Sequence, residues 1–255
     1  MSDPHMPARL KLANVELDDF SFEEITAIAA NAIDARKENI FIVTLDILGA
    51  YNSIFDAAYH KTIMNADIIT CDGAGLKLLT FLKWPGYIKN KVSGVDLSSS
   101  FLDLASARGY RMAFIGAKPA IIDSLEKLVR EKYRGAGGFF FHHGYFDSRQ
   151  RASVIEKLAG FKPDIVLIAL GNPAQEKMIR EIMHLFKGTI FMGVGGSFDV
   201  LSGSLKRAPL FMRRLYLEWL YRLVQQPSRI FRMMNIPKYV FYVLFSEAIR
   251  WITRK

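Results

Sequence analysis

The chain of 255 residues contains one cysteine, Cys71, with no Cys-x-x-Cys pair and no Asp-x-Asp pair. A lone cysteine excludes a disulfide scaffold and a cysteine-built zinc site, and it fits a reducing cytoplasm. Lack of Asp-x-Asp removes the usual carboxylate clamp for a metal-bound diphosphate, so no metal and no cofactor are expected. No apolar run reaches the roughly 18 residues that a spanning helix needs. Met1 to Leu10 has no apolar centre, so no signal peptide is expected there. Neither a Gly-x-Gly-x-x-Gly fingerprint nor a Walker A loop occurs, which argues against a nicotinamide dehydrogenase or a nucleotide triphosphatase. Hydrophobic residues at 51% and charged residues at 23% describe a folded globular protein large enough to bury a core.

Acidic charge is scarce in one region only. From Lys206 onward there are eleven basic residues, opposed by Glu218 and Glu247, so this last fifth carries the whole net charge of +9. The first 205 residues are net neutral. Such asymmetry suggests a body, residues 1–205, and a functionally different appendage, residues 206–255.

In the body, short apolar runs alternate with amphipathic stretches. Phe41–Leu45, Asp67–Cys71, Arg111–Ile115, Phe139–Phe141, Ile165–Ala169 and Thr189–Met192 are rich in β-branched or aromatic residues without strict polar alternation. That is the pattern of strands covered on both faces. Ser21-Phe22-Glu23-Glu24 is a capping box that opens a helix to Arg36, and Ser148–Leu158 and Ala174–Phe186 also read as helices. The expected class is α/β, a Rossmann-like parallel sheet with helices on both faces.

Ligands of such sheets bind beyond the carboxyl ends of the strands. Four of the six turns there are rich in glycine, among them Asp72–Gly75, Gly171-Asn172-Pro173 and Gly193–Gly196. A single one could be a tight turn and nothing more. Together, opening onto helix N-termini, they suit an anion such as a diphosphate. Asp72 is either the N-cap of a helix from Ala74 to Leu82 or a general base projecting into the cleft. Cys71 should face the other way as a buried thiol. His142 and His143 read as loop residues, lacking further ligands at metal spacing.

The appendage has apolar residues at helical spacing from Pro209 to Gln225, namely Met212, Leu215, Trp219, Leu220 and Leu223. Pro227 should interrupt that helix, and a second apolar stretch comes after Pro237. Apolar faces with aromatics and flanking Lys and Arg fit helices lying on an anionic membrane surface, with packing on the core as the alternative. A nucleic-acid partner is not expected, because the aromatics sit among aliphatics.

Asp72–Gly75, Ser93-Gly94-Val95-Asp96-Leu97 and Gly171–Lys177 resemble the WecG/TagA/CpsF glycosyltransferases, glycosyltransferase family 26. So do Gly193–Asp199, Lys206-Arg207-Ala208-Pro209, Leu217–Leu223 and Gln226–Arg229, in the family's order. The resemblance implies an inverting, metal-independent transferase at the cytoplasmic face of the cell membrane. It would move a hexose or N-acetylhexosamine from a UDP-sugar, such as UDP-N-acetylmannosamine, to a polyprenyl-diphosphate-linked sugar in cell-surface polysaccharide synthesis. It assigns Asp72 as the base and Thr44 and Gln175 to the sugar pocket. Asn172 and Glu176 fall in the same motif as Gln175, and the turn with Gly195, Gly196 and Asp199 would approach the nucleotide. Arg214, Arg222 and Arg229 would meet the diphosphates, and on one straight helix they fall within about a quarter turn.

Two positions depart from the family pattern. Asp46 stands where an Asn is usual, exchanging an amide for a carboxylate. Lys91 stands where an Arg precedes Gly-x-Asp-Leu, losing the bidentate fork. Both bear on the donor sugar, so UDP-glucose is an alternative donor and a catalytically silent UDP-sugar-binding protein an alternative function. A homo-oligomer is compatible with the sequence.

Overall fold

The structure is a computed structural model and describes residues 9–83 and 85–253. Most of the Met1–Leu10 stretch read for a leader, and Arg254 and Lys255 of the basic tail, lie outside the described residues. The chain opens with a hairpin, β1 (Leu10–Leu12) and β2 (Val15–Leu17), followed by α1 (Phe22–Ala35) and β3 (Ile40–Leu45). Next come α2 (Ile47–Phe55), α3 (Ala57–Met64), β4 (Ile68–Cys71) and α4 (Ala74–Thr80), whose end tightens into a 3-10 turn, Phe81–Lys83. The middle of the chain alternates α5 (Gly94–Arg108), β5 (Arg111–Gly116), α6 (Pro119–Lys132), β6 (Gly138–His142), α7 (Ser148–Phe161) and β7 (Ile165–Ala169). It continues through α8 (Ala174–Ile182), β8 (Ile190–Gly193) and α9 (Ser197–Leu201). The tail holds α10 (Leu210–Arg214), α11 (Glu218–Gln225), α12 (Ile230–Met233) and α13 (Asn235–Thr253).

Strands β3 to β8 form one parallel sheet in the order β4-β3-β8-β7-β5-β6. All six expected strands are present, and the α/β, Rossmann-like class with helices on both faces holds. One core layer joins α2, α3, α4, α7, α8 and α13 to the sheet. The other joins α1, α5, α6 and α9. Because β3 leads into α2 on one face and β8 into α9 on the opposite face, their carboxyl ends open onto a crevice.

Local chemistry accounts for the element ends. Ser21 accepts from the Glu24 amide while the Glu24 side chain accepts from the Ser21 amide, as the capping box requires. Asp46 caps α2 and Asp56 caps α3 in the same way, each accepting from an amide three residues on. Asp18 carries the hairpin onto the edge strand: its carboxylate accepts from the Ile69 amide at 2.7 Å and pairs with Arg9 at 3.2 Å.

The tail departs from the expected single helix over Pro209–Gln225. It breaks between α10 and α11, where Tyr216 adopts the left-handed region at φ 61° and the Leu217 amide donates back to the Met212 carbonyl at 2.8 Å. Pro227 does interrupt the helical path after α11, opening a 3-10 turn, Pro227–Arg229. The break at Tyr216 also removes the quarter-turn stacking of Arg214, Arg222 and Arg229.

Helix α13 is not free of the body. Tyr239 and Val243 are fully buried in the layer that contains α2, and the Tyr239 hydroxyl donates to Asn14 Oδ1 at 3.1 Å. Glu247 accepts from the Ala13 amide at 3.0 Å, and Arg250 donates to the Ala13 carbonyl at 2.8 Å. Packing on the core is therefore the state of one face of α13, while Phe241, Phe245 and Ile252 on the rest stay in water. No helix of the described residues is long and apolar enough to cross a membrane.

Removing the Tyr239 ring should open a cavity and strand Asn14. Tyr239→Ala is expected to lower the free energy of unfolding by about 3–5 kcal/mol, measured by urea denaturation followed by circular dichroism.

Candidate active site

Asp72 follows the last residue of β4 and is half-buried at the crevice. The helix after it, α4, has Gly73 as its N-cap without a side-chain cap, so Asp72 is not spent on capping. One carboxylate oxygen accepts from the Gly94 amide at 3.2 Å, at the start of α5. Gly94 is itself closely packed: a Cβ there would stand 3.1 Å from Thr44 Oγ1 and 3.3 Å from Ser197 Oγ. Burial and the neighbouring Asp46 charge push the Asp72 carboxyl up to about 6, against the pull of the Gly94 amide and Arg222. A base with that pKa is mostly ionised at neutral pH and still proton-hungry. Cys71 beside it is buried, its thiol pushed up to about 12 by burial first, and it is inert as expected.

Asp46 lies at the end of β3 with its Oδ1 bonded to the Gly49 amide at 2.7 Å. Burial raises its pKa, moderated by that amide and by Arg229 and Arg222. An asparagine would offer the same acceptor oxygen to Gly49, so the exchange at this position leaves the α2 cap intact. Thr44 stands two residues earlier, its hydroxyl donating to the Gly193 carbonyl of β8 at 3.3 Å.

Gln175 is buried, and its amide is fully engaged. Its Oε1 accepts from the amides of Gly171 at 3.2 Å and Gly195 at 2.9 Å, and its Nε2 donates to Asn172 Oδ1 at 2.9 Å and Glu176 Oε1 at 2.8 Å. It ties the turns after β7 and β8 to each other, and β8 admits it only because Gly193 lacks a Cβ, which would fall 2.6 Å from Nε2. With no hydrogen-bonding valence left over, the Gln175 amide braces these two turns. Glu176 is 2% exposed. Burial pushes its carboxyl up to about 7, and its Oε2 has no hydrogen-bond partner among the described residues. Asn172 remains exposed at the rim. Gly195, at φ 47°, turns the chain after β8, and exposed Gly196 lies against the Arg229 guanidinium, with Asp199 one turn into α9.

The arginines come from the tail. Arg222, held by Glu218 on the same face of α11 at 2.6 Å, and half-buried Arg229 act on Asp46, and Arg222 also acts on Asp72. Burial together with Arg222 and Arg232 lowers the Arg229 pKa, so this guanidinium gains from any anion brought to it. Arg214 does not join them. It is exposed at the end of α10, and Arg213 takes the inward place, with a buried Nε and a charge that bears on Asp96. Lys91 is also engaged elsewhere, its ammonium 5.6 Å from the ring centre of Tyr216 in the α10–α11 turn.

Three participants were missed by sequence reasoning. Arg207 grips Asp96 with two bonds of 2.6 Å, and Ser93 donates to the same carboxylate at 2.7 Å. Burial works against both charges, but the pair outweighs it, raising Arg207 and lowering Asp96. Glu218 is the third. Arg207 and Asp96 both lie in motifs already singled out, 111 residues apart, and only the fold brings them together. His142 and His143 sit at the far edge strand, their ring centres 4.7 Å apart and their planes tilted by 49°.

A sequence model of the Glycosyl transferase WecG/TagA/CpsF family matches residues 10–253. The chain is 36% identical over 233 residues to an N-acetylglucosaminyldiphosphoundecaprenol N-acetyl-beta-D-mannosaminyltransferase of Bacillus spizizenii, covering 90% of this chain and 89% of that protein. Similar proteins of the same name occur in Bacillus subtilis, 36% identical over 83% of this chain and 82% of that one. The Staphylococcus aureus protein of that name is 30% identical over 97% and 96%.

Removal of Arg207 leaves Asp96 without its strongest counter-charge. In Arg207→Ala the Asp96 carboxyl should titrate at higher pH than in the parent, read from its carboxyl carbon resonance by NMR.

Proposed function

The chain belongs to the WecG/TagA/CpsF family and is a glycosyltransferase, and from that premise we propose that it transfers N-acetylmannosamine from a UDP-sugar to a polyprenyl-diphosphate-linked N-acetylglucosamine. The observation that carries the reading is Asp72, a carboxylate raised to about 6, free of capping duty and flanked by tail arginines. Asp72 takes the proton of the acceptor hydroxyl as its oxygen attacks the anomeric carbon. The bond from that carbon to the diphosphate breaks, and the sugar inverts, so an α-linked donor yields a β-linked product. Arg222 and Arg229 take up the charge of the departing UDP. Gln175 acts through the backbone, holding the Gly171 and Gly195 amides where the donor approaches.

The relatives of this chain named as N-acetyl-beta-D-mannosaminyltransferases favour this donor over UDP-glucose. Asp46 keeps the helix cap that an asparagine would make, and Lys91 is turned to the Tyr216 ring. The Asp46 charge is itself one of the causes that raise the Asp72 carboxyl, so this departure leaves a base in place and speaks against the catalytically silent alternative.

The surface of the tail supports work at the cytoplasmic face of the membrane, with an anionic lipid surface as partner. Trp219 is 49% exposed and Phe231 75%, beside exposed Arg214, Arg232 and Lys238. Aromatic and aliphatic side chains among cations suit the interface of a bilayer, where each nearby cation adds about 1 kcal/mol on anionic lipid.

Transfer by the purified protein from UDP-N-acetylmannosamine and UDP-glucose, side by side, tests the donor. Product should form from the first, and Asp72→Asn should lower turnover by about 100- to 10,000-fold at unchanged donor affinity. Since protonation of Asp72 removes the base, kcat/KM should fall as pH drops through about 6, approaching tenfold per unit below it, in a pH–rate profile.

A further inference from the structure

A ridge of exposed apolar side chains belongs to the body, not to the tail. Helix α4 and the 3-10 turn after it bury Leu76 and Leu79, yet Leu78 is 55% exposed, Leu82 is 46% exposed, and Phe81 beside them is exposed with its ring stacked on Tyr87 at 4.4 Å. Both ends of this ridge are held by the tail. At one end the Lys77 ammonium lies 5.9 Å from the ring centre of Tyr216, in the α10–α11 turn. At the other, Lys83 pairs with Glu247 of α13. The tail residues around each grip are exposed and apolar as well. Leu215 and Trp219 flank Tyr216, and Leu244 and Trp251 stand one turn to either side of Glu247.

We infer that Leu78, Phe81 and Leu82 dock on an anionic bilayer, continuing the apolar surface of the tail across the catalytic body. This rests on the membrane reading of the tail and extends it to a second element. Charge selects the occupant: exposed Lys89 stands near the ridge, and the tail that grips both its ends carries the chain's whole positive excess. Anionic lipid satisfies both the cations and the apolar side chains between them. The geometry also gives the ridge a use. Helix α4 is seven residues, about 10 Å, with Asp72 just before its first turn and Leu82 just past its last. Contact of the ridge with lipid therefore keeps the base within about one short helix length of the side chains that touch lipid, within reach of a diphosphate-linked sugar whose polyprenyl chain never leaves the bilayer.

The test compares the full-length parent with Leu78→Ser/Leu82→Ser in flotation with vesicles of phosphatidylglycerol and phosphatidylcholine, and with phosphatidylcholine alone. The variant should keep its Tm and its turnover of a short-chain, water-soluble acceptor. It should lose about tenfold in affinity for the anionic vesicles and a like factor in turnover of acceptor embedded in them. A variant that floats as the parent does overturns the inference and leaves the membrane role of the tail standing. A parent that does not float overturns both. Vesicle binding unchanged alongside a smaller sedimenting mass overturns it in favour of a second copy on the ridge. A fluorophore on Leu82→Cys, in a chain whose native cysteine is buried, supplies an independent reading. Its emission should shift to the blue with anionic vesicles, and constant emission overturns the inference.

Discussion

Carboxylates gathered at one end of a parallel sheet repel each other, and the crevice is tenable because arginines from a distant stretch of chain stand against them. Asp46 and Asp72 are both raised by burial, and each raises or is raised by acidic neighbours. Arg222 and Arg229 oppose that, while Arg207 and Arg213 do the same for Asp96. The balance is left incomplete: Arg229 has its own pKa lowered by burial and by like charges. A cleft that sets crowded carboxylates against crowded guanidiniums has groups that can accept a proton and groups that can hold negative charge.

That arrangement explains why the tail must be broken. A single straight helix from Pro209 to Gln225 would turn Arg213 and Arg222, nine residues apart, to opposite faces. The turn at Tyr216 folds α11 back, and the side chain of Gln225 fastens its far end to the backbone of Lys206, accepting at 3.1 Å and donating at 2.9 Å. Tyr216 holds an uncommon backbone conformation, and its ring lies between Lys77 and Lys91 of the body. The contacts of its ring thus stand against the cost of its backbone.

The sheet was legible because each strand is a short apolar run bounded by turn residues, and strands buried on both faces need nothing else. The hairpin β1–β2 was not: Leu10–Leu12 and Val15–Leu17 are three residues each, below the length at which alternation can be recognised. Asp72 was legible from position at the end of β4 followed by glycine, although whether it capped a helix could only be decided by the conformation of Gly73. The alignment of Arg214, Arg222 and Arg229 on one helix was not legible as broken, because no glycine or proline marks the turn at Tyr216. The bonding of Gln175 was not legible, since sequence does not reveal how many of an amide's bonds are already taken.

The four bonds of Gln175 carry a consequence for how this fold can diverge. Its amide presents acceptor to two backbone donors and donor to two side-chain acceptors, a polarity that only Gln can supply at this length. Glutamate would set a carboxylate against Asn172 Oδ1 and Glu176, and a hydrophobe would strand the Gly171 and Gly195 amides. The glycine at 193 adds a further constraint, because only its missing Cβ leaves room for that amide. A single substitution at position 175 therefore breaks four bonds at once, and divergence there is held back by all of them together.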